Sequence, residues 1–528
     1  MIRHPWRFFI VSLLAAWAVD FLFWEKPVGI SFLIWVTILL LGAVFLMHSE
    51  GVQFARQSFV LIGAILLLAA VGFLRQESFT RGFSILLTIG LIWLLTSTLQ
   101  NGFWVRFRII DYISAGFQAA VAALVRPLDL FKRDATLVDA DTVQQKKAPR
   151  KLLPYLRGFL LALPILFILG GLLASADPIF SDWMKNLFSL FHVEWQGEYL
   201  FRLVYILVLA YLFIGIYLFA LKPKRSMDRP DPDKSMIKGF LGWPETAVVL
   251  VSTNILFAVF LVVQFRYFFG GNANINETGF TYAEYARRGF NELLAVAVLS
   301  LLLYLGLSVV SNLTSKNSQA GFTGLSFLLV VQVMVILVSA FQRLLMYEEA
   351  YGFTRLRMVS HVFILWLGVL LVAVLILEIL KRRGWFALAA LISMFGFTVS
   401  LAIVNVDGQI VRRNIARSSL DELDTEYLKE LSSDAVPAMA DLYENAGDPK
   451  IRDLLGMQLA CRKRILEETV IPWQAYTWSD TNARRILSGL GDSLTLYTTS
   501  ERNGEWMVEK NGAVQKELGS PLRETGKI

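Results

Sequence analysis

Two segments of this chain concentrate charged and aromatic side chains of the types that bind ions or move protons. The first segment spans residues 266–292, and its candidates are Arg266, Glu284, Arg287, Arg288 and Glu292. A helix places Glu284, Arg288 and Glu292, which are four residues apart, in one row where they can pair with one another. The alternative is that Arg287 or Arg288 offers its guanidinium group to an anion.

The second segment, residues 343–357, is denser in polar groups. Its candidates are Arg343, Tyr347, Glu348, Glu349, Arg355 and Arg357. Two carboxylates invite an acid–base mechanism, but adjacent residues of a helix point about 100° apart, so Glu348 and Glu349 would not face one substrate. We therefore expect them to pair with Arg343 and Arg355, or with charges of the first segment, and we assign no catalytic residue.

Asp177 is a candidate of a different kind, because Pro178 follows it. An aspartate before a proline is typical of a helix start, where the carboxylate caps free N–H groups and the proline occupies the first turn. Ligand binding by Asp177 is the alternative. Asp20 and Glu378 lie near the ends of apolar runs, and we expect both to be solvated.

The remaining reactive residue types form no recognisable site. The chain has four histidines and one cysteine, and no histidine has a carboxylate or second histidine at the spacing of zinc ligands. The sequence also lacks the glycine-rich phosphate-binding motifs and the nucleophile elbow. It therefore predicts no metal and no cofactor, and it disfavours a conventional enzyme.

The elements that position these residues follow from composition. The chain has 528 residues, of which 55% are hydrophobic and 18% charged, and its mean hydropathy is +0.55. Soluble domains are about 45–50% apolar and about 25% charged, so an ordinary soluble protein is excluded. Apolar runs of about 20 residues are long enough to cross a bilayer as helices. The predicted fold is all-α, a polytopic transmembrane helix bundle of about eleven spans.

The predicted transmembrane domain covers residues 1–404. Its spans are residues 8–24, 28–47, 58–74, 79–99, 157–174, 200–221, 245–265, 291–311, 322–342, 359–380 and 385–404. Residues 103–131 carry apolar side chains three and four apart, which predicts an interfacial amphipathic helix; a twelfth span is the alternative. Residues 132–151 have almost no apolar content and are predicted to be a disordered linker.

The C-terminal tail, residues 405–528, is predicted to be a small, mostly helical soluble region. Leucines at helical spacing on both sides of Gly447-Asp448-Pro449 predict a helical hairpin over residues 416–466. Alternating apolar residues on both sides of Asn503-Gly504 predict a β-hairpin over about residues 494–509.

The side on which each part lies follows from the positive charges. If the N-terminus is inside, the inner segments hold 23 Lys and Arg residues, whereas the outer segments before the tail hold 11. This bias predicts an inside N-terminus, an outside tail, and both candidate segments on the outer side. The net charge of +7 thus reflects topology, and nucleic acid is not an expected partner.

Four stretches together resemble a known family. They are RGFLLALPILFILGGLLASADPIF (157–180), FRYFFGG with TYAEYARRGFNELLAVA (265–271, 281–297), SAFQRLLMYEEAYGFTRLR (339–357) and NVDGQIVRRN (405–414). They resemble a bacterial family of multi-pass inner-membrane proteins catalogued as a domain of unknown function, over about residues 15–440. The resemblance implies a bacterial inner-membrane protein and supplies no activity.

Three functional hypotheses remain. The leading one is transport, or handling of a lipid or small anion, through an outward-facing polar pocket built from the two candidate segments. The ligand would then be an anionic small molecule or a lipid headgroup. The second is a non-catalytic membrane sensor or scaffold whose tail binds a protein partner, and the third is an intramembrane enzyme acting on a lipid-linked substrate. In every case the lipid bilayer is the first partner.

Overall fold

The structure is a computed structural model of the 528-residue chain. It describes residues 3–128, 166, 169–170, 173, 175–189, 196–221, 240–269, 289–313, 315–417, 424–502, 505–510 and 513–518. The predicted linker at 132–151 and most of the predicted span at 157–174 lie outside these residues.

Long apolar helices dominate the described residues, and ten of them can cross a membrane. They are α1 (Pro5–Phe23), α2 (Ile30–Glu50), α3 (Arg56–Leu74), α4 (Ser78–Thr98), α7 (Gln196–Leu221), α8 (Trp243–Phe269), α9 (Phe290–Val310), α10 (Lys316–Tyr351), α11 (Arg355–Ile379) and α12 (Phe386–Val404). Each coincides with a predicted span. The all-α polytopic fold is therefore confirmed.

The chain forms two compact units, and the first comprises Met1–Ala69, Thr88–Trp104 and Ile110–Asp228. Its core packs α1 and α2 against α7, with Phe8, Leu46 and Tyr217 buried together. Two shorter helices accompany them, α5 (Ile109–Val125) and α6 (Pro178–Ser189).

Helix α5 corresponds to the predicted interfacial helix. Its small residues face the protein, and Ala119 and Ala122 pack against Phe219 of α7. Its large apolar residues Ile113 and Phe117 are exposed on another face. At 17 residues, α5 is about 26 Å long, near the lower limit for crossing the hydrocarbon core.

The second unit comprises Ala70–Leu87, Val105–Ile109 and Arg229–Ile528. Helices α8 to α12 pack here around a core that includes Leu250, Phe322, Ile336, Leu344 and Leu371. These side chains come from α8, α10 and α11, so α10 lies at the centre of the packing.

Helix α10 corrects the predicted boundary of one span. It has 36 residues, so it is about 54 Å long, whereas the hydrocarbon core is about 30 Å thick. Residues 343–351 are therefore the last turns of a helix rather than a loop. Their Leu, Met, Glu and Ala residues favour helix, and the helix ends at Gly352, whose φ of +79° suits glycine.

The tail consists of short helices followed by a small sheet. The helices are α13 (Val406–Arg417), α14 (Thr425–Glu430), α15 (Val436–Asn445), α16 (Pro449–Glu468), α17 (Trp478–Gly489) and α18 (Gly491–Leu494), and the strands are β1 (Tyr497–Arg502), β2 (Glu505–Lys510) and β3 (Ala513–Leu518). The strands pair antiparallel in the order β1-β2-β3. The third strand was not predicted.

The predicted helical hairpin of the tail has a more divided first half than expected. At Gly447-Asp448-Pro449, Asp448 caps α16 by accepting a hydrogen bond from the Lys450 N–H. The segment before the turn is two helices, α14 and α15, because Ser432 caps a short 3₁₀ turn at 433–435 and Pro437 starts α15. The tail's apolar core, which includes Ile410 of α13, continues into α11 and α12 through Met358 and Phe397.

Candidate polar site among the spanning helices

A seam of polar side chains lies between α8 and α10. The Asn254 Nδ2 group donates to the carbonyl oxygens of Leu250 (2.7 Å) and Leu325 (3.1 Å). Gln332 Nε2 donates to the Asn254 carbonyl oxygen at 3.1 Å. Polar side chains of this kind join helices in membranes.

The seam leaves oxygen atoms without partners. Asn254 Oδ1, Gln332 Oε1 and Ser326 Oγ are buried and accept no hydrogen bond within the described part of the chain. Such a group costs about 1–3 kcal/mol when it stays unpaired. These three oxygen atoms can therefore accept hydrogen bonds from water or from a ligand that carries donor groups.

Arg343 lies further along the same face of α10. It is 8% exposed, and its Nη2 donates to Gln264 Oε1 at 3.1 Å, where Ser339 Oγ also donates. A side chain at Gly289, directly before α9, would overlap Arg343 Nη1, and the φ of +88° at this residue also favours glycine. The beginning of α9 and Arg343 are thus in direct contact.

Buried Glu348 and partly buried His361 form a pair between α10 and α11. Glu348 is 1% exposed, and its Oε2 lies 2.6 Å from His361 Nε2. Its other oxygen, Oε1, is buried and has no hydrogen-bond partner among the described residues. A carboxylate in this position can accept a proton or a hydrogen bond from a ligand.

The other residues at the end of α10 are held by backbone and ring contacts. The Arg357 guanidinium lies 3.9 Å from the centre of the Tyr347 ring, and it donates to the carbonyl oxygens of Tyr351 and Gly352. Glu349 is exposed. These contacts close the turn between α10 and α11, and they leave Glu349 in contact with solvent.

Arg355 has its principal partner on α13 rather than within its own segment. Its Nε and Nη2 donate to the two carboxylate oxygens of Asp407, each at 2.8 Å. Asp407 is fully buried and also accepts from the Ser432 N–H at 2.6 Å. This bidentate pair joins the start of α11 to the tail.

A second buried carboxylate, Asp434, fastens the tail to the segment between α3 and α4. It accepts hydrogen bonds from the N–H groups of Gln76 (2.7 Å) and Glu77 (2.9 Å) and from Arg75 Nη1 (3.3 Å). The Gln76 side chain in turn donates to Asp480 at 3.0 Å. The described tail is therefore fixed to the ends of spanning helices by charged groups.

Arg462 completes this junction inside the tail. Its guanidinium donates to the carbonyl oxygens of Leu428, Lys429 and Ser432. Burial lowers the pKa of Arg462 to about 10, while the nearby carboxylate of Asp407 raises it. The residue remains charged at neutral pH and stabilises the loop that follows α14.

The pairing expected inside residues 343–357 is not what the structure has. Glu348 pairs with His361, Arg355 with Asp407, and Arg343 with Gln264. Their partners lie 13, 52 and 79 residues away in sequence. Spacing within one segment carries no signal for such contacts.

Most of the first predicted segment, residues 266–292, lies outside the described residues. Glu284, Arg287 and Arg288 lie outside the described residues, and only the backbone of Arg266 is described, in the last turns of α8. Glu292 is exposed in the first turn of α9. Pairing between the two segments stays a prediction. Asp177 is an exposed helix cap, whose Oδ1 accepts from the Ile179 N–H at 2.8 Å.

The expectation that Asp20 and Glu378 are solvated is wrong. Asp20 is buried in the first unit and pairs with Arg202 at 2.6 Å and with the hydroxyl of Tyr205. The partners lie on α7, far away in sequence, which is why proximity to a span end was misleading.

Glu378 is likewise buried in the second unit. It accepts hydrogen bonds from Arg383 and from the Tyr304 hydroxyl at 2.7 Å. A buried carboxylate that is paired with arginine and tyrosine is fully explained by structure. We therefore assign no ligand-binding role to Glu378 or to Asp20. In the described part of the chain, no group of three or more metal-ligating side chains comes together.

Long apolar helices with buried ion pairs between them define a multi-pass, α-helical integral membrane protein. The model of one family, Domain of unknown function (DUF4153), matches residues 62–442. This range is well over half of the chain, so the protein belongs to that family. Comparisons with curated proteins and with solved structures give no match.

Proposed function

We propose that this protein is a bacterial inner-membrane transporter, or a related handler, of a small anion or lipid headgroup. The ligand binds where α8, α9 and α10 meet, beside Arg343, and the Glu348–His361 pair lies further along α10 against α11. The observation that carries the proposal is the burial of an arginine and a carboxylate, together with a partly buried imidazole, on adjacent spanning helices. Ionisable groups in such positions are costly, and they typically serve ligand or ion pathways.

The chemistry of the site supports an anion near Arg343. A guanidinium group and the beginning of a helix both provide positive potential, and they meet where Arg343 contacts Gly289. Glu348, five residues further along α10, points about 140° away from Arg343, and its Oε1, which has no partner among the described residues, offers a separate acceptor for a hydrogen-bond donor.

A transporter must admit water to its binding site, whereas a closely packed helix bundle does not. The test uses the full chain with Cys461 replaced by serine and a new thiol introduced by Ser339→Cys, next to Gln264 and Arg343. We expect a small, charged thiosulfonate reagent to label this thiol in intact membranes. Ser393→Cys is the matched control, because Ser393 is equally buried but lies on α12 outside the seam.

Failure of the reagent to label Ser339→Cys from either side of the membrane would contradict the proposal. Labelling from one side only would also identify the side on which the site opens. Reporter fusions after Lys222 and Lys381 are expected to be cytoplasmic and a fusion after Gly526 extracytoplasmic, as the charge bias predicts. A cytoplasmic C-terminal reporter would reverse the assignment of sides.

The sensor or scaffold hypothesis keeps one specific observation in its favour. Asp407 and Asp434 bind the tail to the ends of spanning helices through buried hydrogen bonds. A tail with no role beyond solubility has no need of buried charges at this junction. If the reagent does not label Ser339→Cys although the tail junction is intact, the sensor or scaffold function is favoured.

A further inference from the structure

One segment of the tail exposes large apolar side chains in a row. In residues 470–478, Val470 is 94% exposed and Trp473 is 52% exposed, and Tyr476 and Trp478 are also exposed. A soluble surface tolerates single exposed apolar residues, but a group of aromatic residues in one loop marks an interaction site. Trp and Tyr are typical of the interface between a membrane and water.

The position of this loop matches the end of a spanning helix. The Tyr476 ring stacks on Phe73 with ring centres 5.9 Å apart, and Phe73 is the penultimate residue of α3. The neighbouring helix α17 is held at the same end of α3, because its residue Asp480 accepts a hydrogen bond from the side chain of Gln76, which directly follows α3. Tyr476 therefore lies beside the end of α3, and the other exposed aromatic residues of the loop are within three residues of it in sequence.

A basic groove of about 310 Å³ begins beside this loop, between α16 and α17. Lys463, Arg484 and Arg485 line it, with Glu467 as its one acidic residue, and Leu466 and Leu487 form its apolar part. The Arg485 guanidinium lies 5.6 Å from the centre of the Trp478 ring, and Arg484 donates to the Thr469 carbonyl oxygen. The groove and the aromatic loop are thus one continuous surface.

From these observations we infer that the α16–α17 groove and the 470–478 loop bind the headgroup of an anionic phospholipid in the leaflet where α3 ends. The aromatic side chains enter the interfacial layer, and the basic side chains receive the phosphate. Three positive groups against one negative group give the groove the required charge. This site lies beyond the family match and is independent of the site at Arg343.

The expected size of the effect follows from the charges. A Lys or Arg near an anionic membrane surface strengthens binding about fivefold. Removing two of them should therefore weaken binding of an anionic lipid by about 30-fold, which corresponds to about 2 kcal/mol.

The experiment measures the affinity of the detergent-purified full chain for short-chain phosphatidylglycerol and short-chain phosphatidylcholine. The variant Lys463→Gln/Arg485→Gln should lose about 30-fold in affinity for phosphatidylglycerol and little for phosphatidylcholine. Lys450→Gln/Arg452→Gln is the control, because it removes the same charge from exposed residues near the beginning of α16. Exchanging the two basic types, Lys463→Arg/Arg485→Lys, should preserve most of the affinity.

A second arm separates a lipid from a soluble anion. Trp473→Ala should weaken binding of short-chain phosphatidylglycerol while leaving any binding of glycerol phosphate unchanged, since only the lipid has acyl chains. Equal affinity of the wild type for glycerol phosphate and the lipid would overturn the lipid assignment. Equal loss in the groove and control variants, or none in either, would overturn the site itself.

Discussion

Asp407→Asn is the substitution whose consequence the structure defines most closely. The new side chain keeps the shape of Asp407 but has one oxygen and one NH₂ group in place of two carboxylate oxygens. One of its two contacts with Arg355 must therefore become donor against donor, and when the NH₂ group takes the place of Oδ2 the Ser432 N–H also loses its acceptor. The Arg355 charge also loses the buried carboxylate that neutralises it.

The magnitude follows from the burial of the pair. Removing one partner of a buried ion pair typically costs 3–5 kcal/mol. We expect the lower end, about 3 kcal/mol, because the Arg355 side chain is 27% exposed and its bond to the Glu430 carbonyl oxygen remains. Local opening of the tail junction should then increase roughly 100-fold.

Hydrogen exchange in the full-length protein measures this opening directly. Amides of α14 and of the turn at 432–435 should exchange faster in Asp407→Asn, whereas amides in the middle of α10 should not change. Asp441→Asn is the matched control, because its pair with Arg412 is 3.5 Å long and half exposed on both sides, and such pairs contribute about 0–1 kcal/mol. Equal exchange in the two variants would refute the argument that the buried pair holds the tail.

Three further predictions concern single groups. Burial raises the pKa of Asp453, but the hydrogen bonds from Lys510 and Tyr497 outweigh it and keep this pKa below its ordinary value. The stability that this group contributes is therefore present above about pH 4 and is lost on further acidification, so the protection of β2 amides, relative to their intrinsic exchange rate at the same pH, should fall at low pH in wild type and far less in Asp453→Asn. Glu348→Gln removes a buried charge and keeps the shape of the side chain. If Glu348 serves a ligand, the thermal unfolding midpoint of the protein should stay the same or rise. A clear fall in the midpoint would indicate a structural role. Arg288→Ala should impair folding or function more than Lys316→Ala, measured by yield and by labelling at Ser339→Cys, and equal effects would remove Arg288 from the site.

Much of the fold was predictable because a single physical property determines it. A run of about 20 apolar residues has one stable arrangement in a bilayer, and each predicted span that the structure describes is a helix. The helix start at Asp177 was predictable for a similar reason, since its cap depends on a neighbour two residues away.

The partners of buried charges were not predictable from spacing. Asp20 and Arg202 are 182 residues apart, and Glu348 and His361 lie on different helices. The sequence shows that a charge is present near a span, but its solvation depends on which helix packs beside it. The predicted end of α10 was wrong for a different reason. Hydropathy marks only the end of the apolar run, whereas helical hydrogen bonding continues beyond it to Tyr351.

The turn between α10 and α11 connects the two groups into which the residues of 343–357 divide. Before the turn, Arg343 and Glu348 contact other spanning helices; after it, Arg355 contacts the tail. The turn itself is held by Asn414 of α13, which accepts from the Phe353 N–H (2.7 Å) and donates to the Phe353 carbonyl oxygen (2.9 Å). Because Phe353 is five residues from Glu348, displacement of α13 must either move the end of α10 or break these two hydrogen bonds. The polar site and the tail are therefore mechanically linked, and a change at the tail junction is expected to alter the site even though no tail residue belongs to it.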